Sequence, residues 1–260
     1  MLDLYNVVLY LSLIHISILG MVIGSFLNVC ICRIPNEESI SYPPSHCTNC
    51  NHRLMPFDLI PIFSFAFLKG KCRYCRKKIS FQYPIIEALN CIFYIIIFFK
   101  YGISITALKY CILTSILIVI SFIDYKTQYV YRSTTIFGAI SGFLFLLVHF
   151  IVYKNGVLDS ILGGIIGFLI IKIIVVITKG MGDGDAEIAA VCGLFLGIKG
   201  ILIGLFLGFI IGGVSGIIII IFKLKKLKDK IAFGPFIAIG VFISMMWSNE
   251  ILEWYIKMFL

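Results

Sequence analysis

The chain has 260 residues, 60% hydrophobic and 13% charged, with a mean hydropathy of +1.06 and a formal net charge of +9. That balance excludes a soluble domain with a large core and indicates a polytopic membrane protein. The cations cluster beside apolar runs, where they mark the cytoplasmic leaflet and its anionic lipids, so no nucleic-acid partner is expected.

Residues 7 to 30 form the first apolar run. No cationic segment precedes it and no small-residue cleavage site follows it, so a retained first helix is expected. Seven more runs fall at about 85 to 99, 105 to 123, 134 to 153, 158 to 178, 186 to 198, 200 to 222 and 231 to 249. Each is long enough to span a bilayer or nearly so, although the sixth is short and bounded by glycine. The expected fold is all-α, with about eight transmembrane helices and both termini outside. On that arrangement 16 Lys and Arg lie on the inner side, five of them in the run Lys223 to Lys230 and one at Lys179. Five lie outside, Lys154 and Lys199 among them, and Lys172 is left deep in a span. The imbalance follows the positive-inside rule and places residues 33 to 84, Asp124 and Gly180 to Asp185 on the cytoplasmic face. The chain divides accordingly into a first helix over 1–32, a loop domain over 33–84 and a membrane core over 85–260. Glycines at 163 and 164, and between 204 and 216, suit close helix packing.

The loop is too small to bury a substantial core and needs a staple. Cys47-Thr-Asn-Cys50 and Cys72-Arg-Tyr-Cys75 supply one. Two CxxC pairs let four thiolates surround a single zinc ion at about 2.3 Å from each sulfur. A reducing cytosol disfavours disulfides, and the neighbouring Arg73, Arg76, Lys77 and Lys78 favour thiolates. His46 and His52 flank the first pair, but a complete cysteine set leaves them no role as ligands. Four thiolates also leave no open position for water, so the expected metal is structural.

Asp124 stands where the third long run passes into polar residues, and Asp183, Asp185 and Glu187 open the sixth within GMGDGDAE. A carboxylate near hydrocarbon is costly and marks a functional site by default, although each acid could instead sit at a helix end near water. Asp124 and the GMGDGD acids emerge on the same side from different helices. Two carboxylates within hydrogen-bond reach share a proton, one serving as base on water while its partner polarises a carbonyl. From the residues alone, Asp183 and Asp185 are both open as the partner of Asp124. Gly182, Gly184 and Glu87 are expected to line the same cavity, with Glu187 a third acid close to the pair. A cation transporter built on the same acids is the alternative from another class, but it would place them nearer the midplane and show repeated halves.

Five ordered segments resemble the bacterial type IV prepilin peptidases, GxGD-type intramembrane aspartyl proteases. They are GSFLNVCICRIP from Gly24, PPSHCTNC from Pro43, GKCRYCRKKISFQYPIIE from Gly70, GMGDGD from Gly180 and FGPFIAIG from Phe233. The register fixed by the following AAVCGLFLG makes Asp124 and Asp185 the catalytic pair, and the resemblance implies Cys47, Cys50, Cys72 and Cys75 as zinc ligands. It further implies an inner-membrane enzyme whose cytoplasmic-facing site cleaves the basic leader of prepilins or pseudopilins after a glycine. S-adenosylmethionine would then methylate the new N-terminus, and a peptidase without methyl transfer is the nearer alternative. The chain departs from the family pattern at Glu187, where lysine is usual, and after Asp124, where an isoleucine-proline pair is usual. Neither the particular pilin, the residues that bind S-adenosylmethionine nor the oligomeric state is readable from the sequence.

Overall fold

A computed structural model describes residues 2–153, 156–178, 180–222 and 231–259. The basic run Lys223 to Lys230, with Lys154 and Lys179, lies outside them. All regular structure among the described residues is helical, apart from two isolated bridges in the otherwise irregular cysteine loop. Eight α-helices follow in order: α1 (Leu2–Arg33), α2 (Phe63–Phe67), α3 (Gln82–Tyr101), α4 (Ile105–Thr127), α5 (Arg132–Tyr153), α6 (Val157–Thr178), α7 (Asp183–Ile221) and α8 (Gly234–Phe259). All but the five-residue α2 are long and apolar enough to cross a membrane, which makes seven among the described residues.

The chain forms two compact units, Met1–Cys111 and Ile112–Leu260, which puts α3 in the same unit as α1. The reason is the pairing of α1 with α3. A β-carbon at Gly20 would stand 2.8 Å from the Cys91 Cα, and one at Gly24 2.7 Å from the Glu87 Cα. Backbones that approach this closely require glycine. Buried amides lock the pair: Asn90 Nδ2 donates to the Gly20 carbonyl at 2.8 Å, and Asn28 Nδ2 to the Tyr83 carbonyl at 3.1 Å. The second apolar run therefore belongs with the first and with the loop between them.

In the second unit, α7 accounts for the difference between the eight runs expected and the seven helices found. Its 39 residues would reach about 58 Å if straight, twice the roughly 30 Å hydrocarbon thickness. The helix does not run straight, because Gly197 has φ 73° and ψ −177°. A β-carbon at Gly167 on α6 would meet both the Ala189 carbonyl oxygen at 2.6 Å and the Ile201 side chain at 3.0 Å, although 12 positions separate those residues. Only a reversal at Gly197 allows this. The runs at 186–198 and 200–222 are thus the two antiparallel legs of α7, with the turn two residues earlier than the sequence suggests. Beyond the turn the Ile198 N–H is satisfied by Asp159 Oδ1 of α6 at 3.3 Å, a cap supplied from another helix. Helix α8 packs along the second leg, with Gly208 against Ile237 and Gly212 against Phe233. This brings Gly234, at the start of α8, to the same end of the unit as Asp183.

Candidate active site and metal centre

Asp124 lies in the last turn of α4 and Asp185 in the first turn of α7. Both are buried, with 5% and 6% of their surface exposed, which is rare for carboxylates unless they are hydrogen-bonded. Each accepts one backbone donor from a glycine. Gly234 N–H donates to Asp124 Oδ2 at 2.9 Å, and Gly182 N–H to Asp185 Oδ2 at 3.1 Å. The second bond is a reach-back from the third helical position to the N-cap, which satisfies one of the orphan donors at the start of α7. The first bond comes from the N-terminus of α8, whose positive dipole end offsets the C-terminal position of Asp124 on its own helix.

Asp124 and the first turns of α7 share a neighbour in Gly234 at the head of α8. Packing explains how they meet. A β-carbon at Gly184 would stand 2.5 Å from the Val130 Cβ, so the segment after α4 presses directly on the first turn of α7. A β-carbon at Gly234 would stand 2.8 Å from Asp124 Oδ2 and 3.4 Å from Ile188 Cδ1, one turn beyond Asp185. Glycine at 184 and 234 thereby lets three helix ends converge around two acids.

The alternating acids of GMGDGDAE separate by helical geometry, since two residues turn about 200° round the axis. Asp183 points outward and pairs with Lys172 Nζ at 2.7 Å, so Lys172 is not a lone cation deep in a span. Glu187 faces α5, where Thr135 Oγ1 donates to its Oε2 at 2.7 Å and Arg132 Nε approaches its Oε1 at 3.8 Å. It is turned away from Asp185 rather than lining the pair. Glu87 lies in the first unit, where its buried carboxylate accepts the Ile62 N–H at 2.7 Å. Gly234 is the residue that sequence reasoning missed. It stood in the quoted FGPFIAIG segment, but a glycine advertises no chemistry of its own.

The cysteine loop builds the same turn twice. The Cys47 and Cys72 N–H groups donate to the carbonyls five residues on, His52 and Lys77, at 3.0 and 2.8 Å. The Cys47 and Cys72 carbonyls accept from Asn51 and Arg76, both in the left-handed region with φ of 54° and 59°. The bridges His46 to Arg53 and Lys71 to Lys78 close the two loops. Together they bring the Cys47, Cys50, Cys72 and Cys75 sulfurs within 4.8 Å of one another, with Cys47 and Cys75 at 3.9 Å. Tetrahedral zinc–thiolate bonds of about 2.3 Å require sulfurs about 3.8 Å apart, so the set fits a zinc ion. Its electrostatics agree. The Lys77 backbone N–H holds the Cys75 thiol down at about 6. Cys50 gains from the His52 backbone N–H, yet burial and the Cys47 and Cys75 sulfurs push it up to about 11. Four thiolates cannot share this space without a cation to neutralise them. His52 instead stacks on Tyr74 with ring centroids 3.6 Å apart, and His46 Nδ1 lies 3.1 Å from the Pro44 carbonyl.

Residues 18–101 match the bacterial peptidase A24 N-terminal domain and residues 111–217 the type IV leader peptidase family. The chain is 34% identical to a prepilin leader peptidase/N-methyltransferase of Bacillus subtilis (strain 168), over 93% of this chain and 96% of that protein. Proteins of the same name from Neisseria gonorrhoeae and Aeromonas hydrophila are 31% and 29% identical, covering 90% and 97% of this chain and 90% and 96% of their own lengths. No match was found among solved structures. Two domain matches that divide the chain almost where its compact units divide, and relatives aligned nearly end to end, place this chain in the type IV leader peptidase family.

Proposed function

We propose that this chain cleaves the leader peptide of prepilins or pseudopilins and then methylates the exposed N-terminus, with Asp124 and Asp185 as the peptidase pair. The observation that carries the reading is the meeting of two buried carboxylates from α4 and α7, each held by a single glycine N–H. One carboxylate takes a proton from water as its oxygen attacks the scissile carbonyl, while the other, protonated, donates to the carbonyl oxygen. Collapse of the tetrahedral carbon breaks the C–N bond, and the departing amine takes up a proton from the pair. Neither a nucleophilic side chain nor a metal is required for this hydrolysis.

The names of the relatives and the retained cysteine loop support the methyl transfer. S-adenosylmethionine would supply the methyl group to the freed amine. Cys47, Cys50, Cys72 and Cys75 would hold zinc as the loop's structural staple, with all four positions filled by protein. The positive-inside count supports a cytoplasmic-facing site in the bacterial inner membrane. Incubating the purified chain with a prepilin, with and without S-adenosylmethionine, tests the proposal by mass. Expected are leader loss in both reactions and one methyl increment only with S-adenosylmethionine. Cleavage without the increment leaves a peptidase alone, and an intact prepilin in both overturns the reading.

A further inference from the structure

The cysteine loop carries an apolar segment that neither the peptidase pair nor the metal centre uses. Met55, Phe57, Leu59, Ile60, Phe63 and Phe67 are exposed within 13 residues, Phe57 and Phe67 retaining 75% and 84% of their surface. An apolar patch of this size on a water-facing loop marks a binding surface. Its position in the fold says for what. The Glu87 carboxylate, five residues into α3, accepts the Ile62 N–H at the start of α2. Phe65 of α2 meets Phe81, the residue before α3, edge to face with centroids 5.3 Å apart. Helix α2 is therefore docked beside the first turns of α3.

Helix α3 has 20 residues and rises about 30 Å, so its whole length is needed to cross the hydrocarbon core. Ile62, level with Glu87, then lies about 7 Å below the start of the span, within the depth that interfacial helices reach. Charge agrees with depth. Between residues 54 and 82 the only acid is Asp58, which is paired with Arg73 at 2.7 Å. Lys69, Lys71 and Lys78 line a cleft of about 360 Å³ against Phe65 and Phe81, a combination that fits a phosphate headgroup above an acyl chain.

We propose that Met55–Phe67 is an interfacial element inserted into an anionic leaflet, seating the zinc loop at the headgroup boundary. This stands apart from the peptidase reading, since it needs only that α1 and α3 span a bilayer. The test uses the full-length chain with Trp247→Phe and Trp254→Phe, carrying Phe57→Trp or Phe67→Trp as the single reporter. Each variant is reconstituted in vesicles of phosphatidylglycerol and phosphatidylcholine and checked for retained zinc. Lipids brominated along the upper acyl chain should cut the emission of both reporters by about half, while aqueous iodide leaves it nearly unchanged. Replacing phosphatidylglycerol with phosphatidylcholine should weaken the lipid quenching, and Lys69→Glu with Lys71→Glu should abolish that lipid dependence. Emission quenched by iodide and untouched by brominated lipid overturns the proposal. Shielding that arises only on addition of a prepilin, or only at high protein density, also overturns it by assigning the surface to substrate or to a second copy.

Discussion

Gly234→Ala perturbs the proposed pair without touching either acid. The new β-carbon would lie 2.8 Å from Asp124 Oδ2, about 0.6 Å inside the 3.4 Å at which ordinary contact begins. Relief comes from tilting the carboxylate, because its oxygen is the free end of a side chain while Gly234 is fixed at the head of α8. Fold stability should therefore fall by no more than the weakened Gly234 hydrogen bond, about 1–3 kcal/mol. Catalysis is less forgiving. A displacement approaching 1 Å between reacting groups costs about 10²-fold in rate. Purified Gly234→Ala should retain its zinc and its melting transition within about 10 °C, yet cleave a prepilin about 10²-fold more slowly in kcat. Rates within threefold of the parent would mean that the Gly234 bond does not position Asp124 for the reaction.

Two further predictions concern the residues that surround the site. Glu187 is held by Thr135 and, more loosely, by the exposed Arg132, so Glu187→Gln should leave the shape of the pH–rate profile unchanged. Thr135→Val should lower thermal stability by about 1 kcal/mol through the lost hydrogen bond. A displaced profile in Glu187→Gln would show that the acid acts on the pair after all. For the loop, Cys47→Ser and Cys72→Ser should each lose zinc and open the segment to proteolysis, as should a strong chelator. A fully active, protease-resistant preparation without zinc by metal analysis would refute the staple.

Much of this was legible from residue spacing. The CxxC pairs announce their geometry because a metal site needs its ligand types at short intervals, and Asp124 and the GMGDGD acids stand out because carboxylates are expensive where they lie, although only the family resemblance chooses Asp185 over Asp183. What the sequence could not convey depends on contacts between distant positions. Glu187 reads as a third acid beside the pair until Thr135, 52 positions earlier, is seen to hold it on another side of α7. Lys172 reads as a buried cation until the packing of the first leg of α7 on α6 brings Asp183 alongside. The reversal itself rests on one backbone conformation at Gly197 and one cap from Asp159, and neither leaves a periodic signal. The pairing of α3 with α1 rests on Gly20 and Gly24, and glycines in an apolar run do not name their partner.

The most direct test of the central claim is prepilin cleavage by purified Asp124→Asn and Asp185→Asn. Removing either ionisable group should lower the rate by about 10³-fold or more, while membrane insertion and zinc content stay at the parent's level. Full cleavage by either variant would contradict the two-carboxylate mechanism.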